Sequence, residues 1–344
     1  MSSLQEVVRT HVGDPAARIA TQHVEHLGHT ALSTAELRRI HGTTTDGRPW
    51  SVVAKSIRSM RHWPELVAIP PELRERAVEG YPWRADADVY LSPPPLPEGL
   101  RLPEVYLVED LGDDRLVLWM EDVRQAAGEW DLERYRRAAR LLGELAALRP
   151  SPDIDAGMRI YLGGVVTHAF VPMLREPAFW QQPLVARNAD PLLRADLLAL
   201  AGRIPDLLKL SEGLPHFHGH GDAGPQNLLV PAEGPAEFVA IDWSWPYPGV
   251  AGFDLGQLLV GRAHDGEVDP AELAAIHDTI LPAYASALPG VDVETGYVVS
   301  LVLRSAWTAL PLDRAGEAAT PATEEFFRRR AGLARFIADL GRSL

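Results

Sequence analysis

The run HGHGDAGPQNLLV at residues 218–230 carries two polar side chains at a fixed spacing, Asp222 and, five residues later, Asn227. A third, Asp242, follows Asp222 by twenty residues. Carboxylate and amide oxygens are the ligands that magnesium prefers, and a carboxylate can also accept a proton from a hydroxyl group. The run therefore predicts a site that combines metal binding with proton transfer.

A hairpin is predicted to bring the ends of this motif together. Residues 228–230 and 238–241 are short apolar runs, and the segment between them, PAEGPAE, has the composition of a turn. Asn227 precedes the first run and Asp242 follows the second. An antiparallel pair of strands would place both residues at the same end of the hairpin.

The pattern H-x-D-x-x-x-x-N, an apolar strand and then I-D resembles the catalytic segment of small-molecule phosphotransferases of the aminoglycoside phosphotransferase and choline kinase type, which are relatives of the protein kinases. The resemblance implies that Asp222 accepts the proton of a substrate hydroxyl and that His220 orients the catalytic loop. It also implies Mg²⁺ binding by Asn227 and Asp242, and a bracing role for Asp254 in the G-F-D-L sequence that follows.

Two other interpretations of the same run remain open. His216, His218, His220 and Asp222 alternate as in zinc hydrolases of the metallo-β-lactamase type, although these expect a histidine directly after the Asp, where this chain has Ala223. The run could also be a structural loop with buried polar side chains.

Lysine is rare in this chain: of 33 basic residues, 31 are Arg, and only Lys55 and Lys209 are Lys. Lys55 lies in SVVAKSI, residues 51–57, which alternates like a strand and is similar to the strand whose lysine contacts the α- and β-phosphates of the nucleotide in the kinase-like family. The use of Lys where Arg is otherwise preferred favours a role that needs a compact ammonium group.

The resemblance also implies an acidic partner for Lys55 on the following helix. The segment YPWRADADVY, residues 81–90, is similar to the family's W-x-R-E-A-x-x-Y helix and has Asp86 where Glu is usual. Because Asp is one methylene shorter, the ion pair could be longer or bridged by water. Glu79, one helical face away, is the alternative partner.

A hinge for the adenine ring is predicted at RLVLWMEDV, residues 115–123, which is similar to the hinge strand of the family. The resemblance implies adenine recognition by backbone groups from Glu121 to Val123. Ile241 is included among the predicted nucleotide contacts.

A turn at Asp46-Gly47 between two strand-like runs predicts a further hairpin. We expect it where kinases have the loop that covers the phosphates, with Thr44, between Thr43 and Thr45, as the candidate phosphate contact. An exposed turn without function explains this hairpin equally well.

Composition limits the classes of partner. The formal charge of −14 disfavours nucleic acid, because phosphate binding calls for basic patches. The absence of Cys excludes disulfides, thiol catalysis and zinc–thiolate sites, and it fits a reducing cytoplasm. No run approaches eighteen apolar residues, so no membrane span is predicted, and the N-terminus lacks the apolar core of a signal peptide.

Strands are predicted mainly before residue 122 and helices mainly after it, which predicts an α+β class and agrees with the bilobal protein-kinase-like fold that the resemblance implies. A small β-rich nucleotide-binding lobe is expected at 1–121, a hinge at about 120–124, and a larger, mainly helical catalytic and substrate-binding lobe at 122–344. A short helix is predicted from Asp14-Pro15 to about Gly28. Further helices are predicted at 131–148, 189–211, 270–288, 294–310 and 322–342.

Together with the resemblance, these features predict an ATP- or GTP- and Mg²⁺-dependent phosphotransferase that moves the γ-phosphate to a hydroxyl of a small molecule. An antibiotic acceptor, and hence a resistance function, is the first interpretation. The alternatives are a kinase of a sugar, a choline-like alcohol or homoserine, and a kinase-like binding protein without activity. A monomer or weak homodimer is expected. Trp243, Trp245 and Tyr247 either line the acceptor pocket or pack in the core.

Overall fold

The structure is a computed structural model that describes residues 3–28, 31–69 and 71–344, without the side chains of Ala68 and Leu73. The chain forms two compact units. The first consists of Met1–Pro94, Arg101–Ala126 and Leu229–Ser244, and the second of Pro95–Leu100, Ala127–Leu228 and Trp245–Leu344. Strands dominate the first unit and helices the second, so the predicted α+β class is confirmed.

In the described part of the chain, most strands pair with a strand that directly precedes or follows them in the sequence. They are β1 (Ile19–His26), β2 (Thr34–Thr44), β3 (Pro49–Arg58), β4 (Leu100–Arg101), β5 (Val105–Asp110), β6 (Arg115–Glu121), β7 (Pro150–Ser151), β8 (His216–Phe217), β9 (Leu228–Leu229), β10 (Phe238–Ala240) and β11 (Gly249–Val250). Five of them form the antiparallel sheet of the first unit, in the order β1-β2-β3-β6-β5. The predicted hairpin around the PAEGPAE turn is present, since β9 and β10 are hydrogen-bonded neighbours.

The helices of the described residues lie mainly in the second unit. They are α1 (Ser3–Val12), α2 (Pro71–Gly80), α3 (Ala85–Leu91), α4 (Leu132–Leu148), α5 (Ala156–Tyr161), α6 (Val171–Arg175), α7 (Pro177–Trp180), α8 (Pro183–Asn188), α9 (Leu193–Gly202), α10 (Ile204–Glu212), α11 (Phe253–His264), α12 (Leu273–Ala285), α13 (Val293–Ser305) and α14 (Pro321–Gly341). In the described part of the chain, none of these is long and apolar enough to cross a membrane.

The alternation of β3 decides which way its side chains face. Trp50, Val52 and Ala54 are at most 3% exposed and pack with α1 in the core on one side of the sheet. Because successive strand residues point to opposite faces, Lys55 faces the other side. The apolar core therefore stabilises the strand predicted at 51–57 on one face, and the side chain of Lys55 lies on the opposite face.

The predicted helix from Asp14 to Gly28 is wrong. The N-terminal helix ends at Val12, and residues 19–26 form β1, which pairs with β2 along its length. The Asp14 carboxylate accepts the N–H of Ala16 at 2.8 Å, as a helix cap would, but the turn does not continue. The ladder of backbone hydrogen bonds to β2 outweighs the local capping signal.

Most helices predicted for the second unit are present. Asp131 caps α4 by accepting the N–H of Arg134 at 2.8 Å, and the helix ends at Leu148, as predicted. The helix predicted at 189–211 is divided into α9 and α10, and a proline, which lacks an N–H, stands in the first turn of α10. α12, α13 and α14 match the other predictions to within a few residues, whereas α5 to α8 and α11 were not predicted.

Candidate active site

Lys55 lies on β3 between two carboxylates of the first unit. Its Nζ is 2.8 Å from Asp86 Oδ2 and 3.0 Å from Asp242 Oδ1, and the residue is 8% exposed. Burial alone lowers the pKa of a lysine, but the two carboxylates outweigh burial and hold the pKa of Lys55 above its ordinary value of 10.5. The side chain is therefore a positively charged ammonium at physiological pH.

Asp86 connects three elements of the first unit. Its buried carboxylate accepts from Lys55 through Oδ2 and from the backbone N–H of Trp243, at 2.8 Å, through Oδ1. α3 begins one residue earlier and carries Asp86 toward the sheet. Asp is therefore long enough to reach the lysine without a bridging water. Glu79, the alternative partner, is exposed on α2.

Asp242 has an unusual backbone conformation. Its φ of +63° lies in the left-handed region, which among the non-glycine residues that the structure describes it shares with Asp113 and Asp114 alone. Its N–H donates to the hydroxyl of Tyr90 at 3.3 Å. This conformation costs about 1 kcal/mol or more for a residue with a Cβ, and it persists where surrounding contacts impose it, often at functional sites.

In the second unit, Asn227 binds Asp222 within one loop. Asn227 Nδ2 donates to the backbone oxygen of Asp222 at 2.8 Å and to its carboxylate Oδ2 at 3.1 Å. A short helical turn at Pro225–Asn227 brings the amide back over the loop. Because Nδ2 makes both bonds, the orientation of the amide is fixed, and its oxygen is turned away from Asp222.

Asp254 and His220 hold the backbone of the same loop. Asp254, at the start of α11 and 1% exposed, accepts the N–H of His220 at 2.9 Å and that of Gly221 at 2.7 Å. Nδ1 of the buried His220 accepts the N–H of Asp222 at 3.2 Å, so a neutral ring carries its proton on Nε2. Gly221 has a φ of +85°, and a Cβ there would collide with the side chain of Trp245.

The predicted hinge is the end of β6. Glu121 donates its backbone N–H to the oxygen of Glu104 at 2.8 Å. The Asp122 carboxylate is held by a serine hydroxyl of β3 and an arginine of β2. Val123 is buried, and Ile241, directly before Asp242, is half-buried. These contacts fix the backbone from Glu121 to Val123 within the first unit.

Thr44 lies away from the Lys55 cluster. The strand register places Lys55 opposite Leu37 of β2, and Thr44 is seven residues further along that strand, about 20 Å away at the usual rise per residue. Its hydroxyl closes the β2–β3 turn by accepting the N–H of Arg48 at 3.0 Å. The hairpin is present as predicted, and the phosphate contact of Thr44 stays a prediction.

Two side chains that the sequence did not single out contact Asp222. Arg304, from α13, donates through Nη2 to Asp222 Oδ1 at 3.0 Å. Gln257, from α11, donates to the same oxygen at 3.3 Å when its amide is oriented to satisfy its neighbours. Arg304 is 82 residues from Asp222, and no local motif distinguishes it from the other arginines.

The alternating histidines do not form a ligand cluster. His216 Nδ1 lies 2.9 Å from the backbone oxygen of Leu214, and His220 Nδ1 is occupied by the N–H of Asp222. Over residues 3–28, 31–69 and 71–344, no group of three or more His, Cys, Asp or Glu side chains is arranged to hold a metal ion. The zinc hydrolase interpretation therefore lacks its ligand set, whereas Mg²⁺ needs only one or two protein carboxylates besides phosphates and water.

The aromatic residues after Asp242 differ in burial. Trp243 is buried in the first unit, and its indole N–H donates to the oxygen of Ala240 at 3.2 Å. Trp245 is half-buried in the second unit, where its ring lies 5.7 Å from that of Phe253 in a stacked arrangement. Trp243 therefore packs in the core, while Trp245 belongs to the surroundings of the Asp222 loop.

Asp155→Asn is expected to stabilise the protein at neutral pH. Asp155 caps α5 by accepting the N–H of Met158 at 2.9 Å, and burial raises its pKa to about 6 despite that hydrogen bond and the positive charge of Arg304. Because the folded pKa lies above the ordinary 3.8, folding favours the protonated form. The protonated Asp155 therefore contributes fully to the free energy of unfolding below about pH 4, and this contribution is lost as the pH rises through about 6.

Asn keeps the helix cap and removes the buried charge, so the free energy of unfolding should rise by about 2–3 kcal/mol at pH 7 and hardly change at about pH 4. Urea titrations at both pH values measure the difference. Asp131→Asn, at the exposed cap of α4, is the matched control and should change stability little at either pH. Equal stability of Asp155→Asn and the unaltered protein at pH 7 would contradict the expectation.

No protein-family model and no curated protein matches the chain. Solved structures, in contrast, match the chain. The fold is similar to that of a microcompartment-associated aminopropanol kinase, with a TM-score of 0.51 and 15% identity over 98% of each chain. It is similar to an aminoglycoside phosphotransferase from Alicyclobacillus acidocaldarius, with a TM-score of 0.50 and 17% identity over 98% of this chain and 95% of that one.

A third similar structure is a thermostable mutant of the aminoglycoside phosphotransferase APH(4)-Ia, with a TM-score of 0.52 and 12% identity over 99% of this chain and 100% of that one. At these identities the similarity establishes the fold. The chain has the α+β, protein-kinase-like fold of the aminoglycoside phosphotransferases and related small-molecule kinases.

Proposed function

We propose that this protein is a phosphotransferase that uses ATP or GTP with Mg²⁺ and transfers the γ-phosphate to a hydroxyl group of a small molecule. The Lys55 cluster carries the proposal: a buried ammonium lies 2.8 Å and 3.0 Å from two carboxylates, and one of these, Asp242, is held in a left-handed conformation. A structural ion pair needs one carboxylate and no backbone strain, whereas a nucleotide site needs a cation for the phosphates beside an anion for the metal. The fold shared with small-molecule kinases supports the same reaction.

We further propose that residues 1–121 are the nucleotide-binding lobe, that residues 122–344 are the catalytic and substrate-binding lobe, and that the hinge lies at about 120–124. Lys55 would contact the α- and β-phosphates, and Asp86 would hold its ammonium in place. Adenine would be recognised by backbone groups of Glu121 and Val123, next to the side chain of Ile241.

Asp242 and Asn227 would hold the magnesium ion. The chemistry of these donors fits it, because a carboxylate offers a charged oxygen, and the Asn227 amide, whose Nδ2 is bound to Asp222, offers its remaining oxygen. When bound, Mg²⁺ neutralises charge on the transferred phosphoryl group.

Asp222 would accept the proton of the acceptor hydroxyl. Phosphoryl transfer depends mainly on positioning, so the base must be held in one orientation. Asn227 binds one carboxylate oxygen of Asp222 and Arg304 the other. His220 and Asp254 would act on the backbone of the loop, as positioning residues, without touching the substrate.

An antibiotic is the first acceptor class that we propose, with resistance as the biological role, and a primary-metabolite alcohol is the second. Proteins of similar fold include aminoglycoside phosphotransferases and an aminopropanol kinase, which supports both classes. We further propose action in the cytoplasm as a monomer or weak homodimer, without nucleic-acid or membrane partners. The formal charge of −14 supports the exclusion of nucleic acid.

A panel of alcohols tests the function. The purified protein is incubated with Mg·ATP or Mg·GTP and one acceptor at a time: aminoglycosides, macrolides, nucleoside antibiotics, sugars, choline, homoserine and aminopropanol. The release of nucleoside diphosphate is followed by a coupled assay. We expect release that depends on one acceptor class and stops when Mg²⁺ is chelated. Failure to bind Mg·ATP and Mg·GTP, together with no release for any acceptor or for water, would overturn the proposal.

Lys55→Arg is expected to keep the positive charge yet lower kcat/KM for ATP by about 10²-fold or more, the loss typical of a preorganised donor. A guanidinium is larger than an ammonium and holds its donors in one rigid plane, so it cannot take the place of the compact charge that lies between Asp86 and Asp242. The other lysine of the chain supplies the matched control: Lys209 is exposed on α10, and Lys209→Arg should have unchanged kinetics. Full activity of Lys55→Arg would remove Lys55 from the proposed nucleotide site.

A further inference from the structure

Arg304 contacts both the side chain and the backbone of the loop that carries Asp222. Its Nη2 donates to Asp222 Oδ1 at 3.0 Å, and its Nη1 donates to the backbone oxygen of Gly221. The pair is partly buried, with 17% of the Arg304 side chain and 29% of the Asp222 side chain exposed. A guanidinium can make both bonds at once because its N–H groups form a rigid planar fork.

The guanidinium of Arg304 is itself held in place. It lies 4.9 Å from the ring centroid of Trp245 and 5.1 Å from that of Phe253. Gln257 accepts from its Nε at 3.2 Å, and the backbone oxygen of Arg304 accepts the hydroxyl of Tyr161 at 3.0 Å. Cation–π contacts and the side-chain amide leave the guanidinium little freedom to leave Asp222.

The Gly221 backbone is bound on both of its polar groups. Asp254, on α11, accepts the Gly221 N–H, and Arg304, on α13, donates to the Gly221 oxygen. The next residue is Asp222, whose second carboxylate oxygen is bound by Asn227. The plane of the Asp222 carboxylate is therefore set by Asn227 of its own loop on one oxygen and by Arg304 and Gln257, from α13 and α11, on the other.

We propose that Arg304 is the positioning residue that orients the Asp222 carboxylate toward the acceptor hydroxyl, with Gln257, Trp245 and Phe253 as its support. This inference rests on the proposed function. A misplacement of about 1 Å in a reacting group can reduce a rate by about 10²-fold. Loss of the guanidinium should therefore lower kcat and leave the KM for ATP unchanged, because Arg304 is not among the proposed nucleotide contacts.

Arg304→Met tests the role, because it keeps an extended apolar side chain and removes the charge and the donors. Turnover of Mg·ATP is measured with water as the acceptor and with the acceptor found in the panel. We expect kcat to fall by about 10²-fold at unchanged KM for ATP. Arg304→Lys should recover only part of the loss, because an ammonium cannot take the place of the planar fork. Added guanidinium ion should restore part of the activity of Arg304→Ala.

Arg330→Met is the matched control. Arg330 is also buried, donates to the backbone oxygens of Ala309 and His264, and lies 5.6 Å from the ring of Phe326. Its removal should lower thermal stability and leave kcat of the folded protein unchanged, and added guanidinium ion should not change the activity of Arg330→Ala. An equal loss of kcat in Arg330→Met and Arg304→Met would mean general destabilisation and would overturn the positioning role.

A crystal structure of Arg304→Met gives a readout that does not depend on activity. We expect the Asp222 carboxylate to have turned away from Asn227 Nδ2, and an Asp222 carboxylate in its original orientation would overturn the inference. If the unaltered protein transfers no phosphate to any acceptor or to water, the proposed function fails, while this readout still decides whether Arg304 orients Asp222. If Arg304→Met does not fold, Arg304→Lys serves for both measurements.

Discussion

Asp222→Asn is expected to lower kcat by at least about 10²-fold and to leave the affinity for ATP unchanged. The amide has nearly the shape of the carboxylate but cannot take a proton from the acceptor hydroxyl. Measurements of kcat with the acceptor and of ATP binding by calorimetry separate the two effects. Asp206→Asn, exposed on α10, is the control for loss of one negative charge. Turnover of Asp222→Asn near that of the unaltered protein would reject Asp222 as the base.

Arg304 complicates the simple substitution, because Asp222→Asn leaves a partly buried guanidinium without its carboxylate. An unpaired buried charge destabilises a protein strongly. The double variant Asp222→Asn/Arg304→Gln removes that charge, and it should regain stability without regaining kcat. Recovery of kcat in the double variant would mean that the single variant lost activity through the unpaired charge and not through the missing base.

Asp242→Ala is expected to reduce kcat by about 10³-fold or more, since a metal ion supplies several kcal/mol of charge stabilisation in phosphoryl transfer. ATP binding should also lose its dependence on Mg²⁺. Calorimetric titration of ATP at increasing Mg²⁺ concentration measures this. Normal binding of Mg·ATP by Asp242→Ala at low Mg²⁺ would show that the carboxylate does not hold the metal.

The left-handed backbone at Asp242 needs its own control. Asp113 has a φ of +52° and an exposed side chain, so Asp113→Ala places Ala in a similar conformation without touching the Lys55 cluster. It should lower stability slightly and leave kcat unchanged.

Asn227→Ala should lower kcat less than Asp242→Ala, because water can replace an amide oxygen. Part of its loss should persist at high Mg²⁺, because Asn227 also binds Asp222.

Local patterns predicted some of the elements around the candidate site, but not α11, which carries Asp254 and Gln257. The alternation around Lys55, the cap at Asp131 and the two apolar runs after Asn227 each depend on a few consecutive residues, and each has the expected secondary structure. Asp86 is the residue that pairs with Lys55, at 2.8 Å. Such features can be predicted because strand alternation, capping and turn composition act within a few residues of the chain.

Long-range pairing explains where prediction from the sequence failed. Residues 19–26 are mostly polar and follow a cap-like Asp14, yet they form a strand because they pair with β2 from Ile19 to His26, with one irregularity between Ile19 and Thr21. The register of β2 against β3, which sets how far Thr44 lies from Lys55, likewise could not be predicted from local patterns. In both cases the deciding contact lies on another strand, which local patterns do not contain.

The sequence by itself predicted the α+β class, the longer helices of the second unit other than α11, the strand that carries Lys55 and the hairpin between Asn227 and Asp242, because these depend on local periodicity and on turn composition. Only the tertiary structure decided that Lys55 contacts two carboxylates, that Asp242 adopts a left-handed conformation and that Arg304 binds Asp222. These contacts join residues between 31 and 187 positions apart in the chain. They arise from the packing of whole strands and helices, and no short segment encodes them.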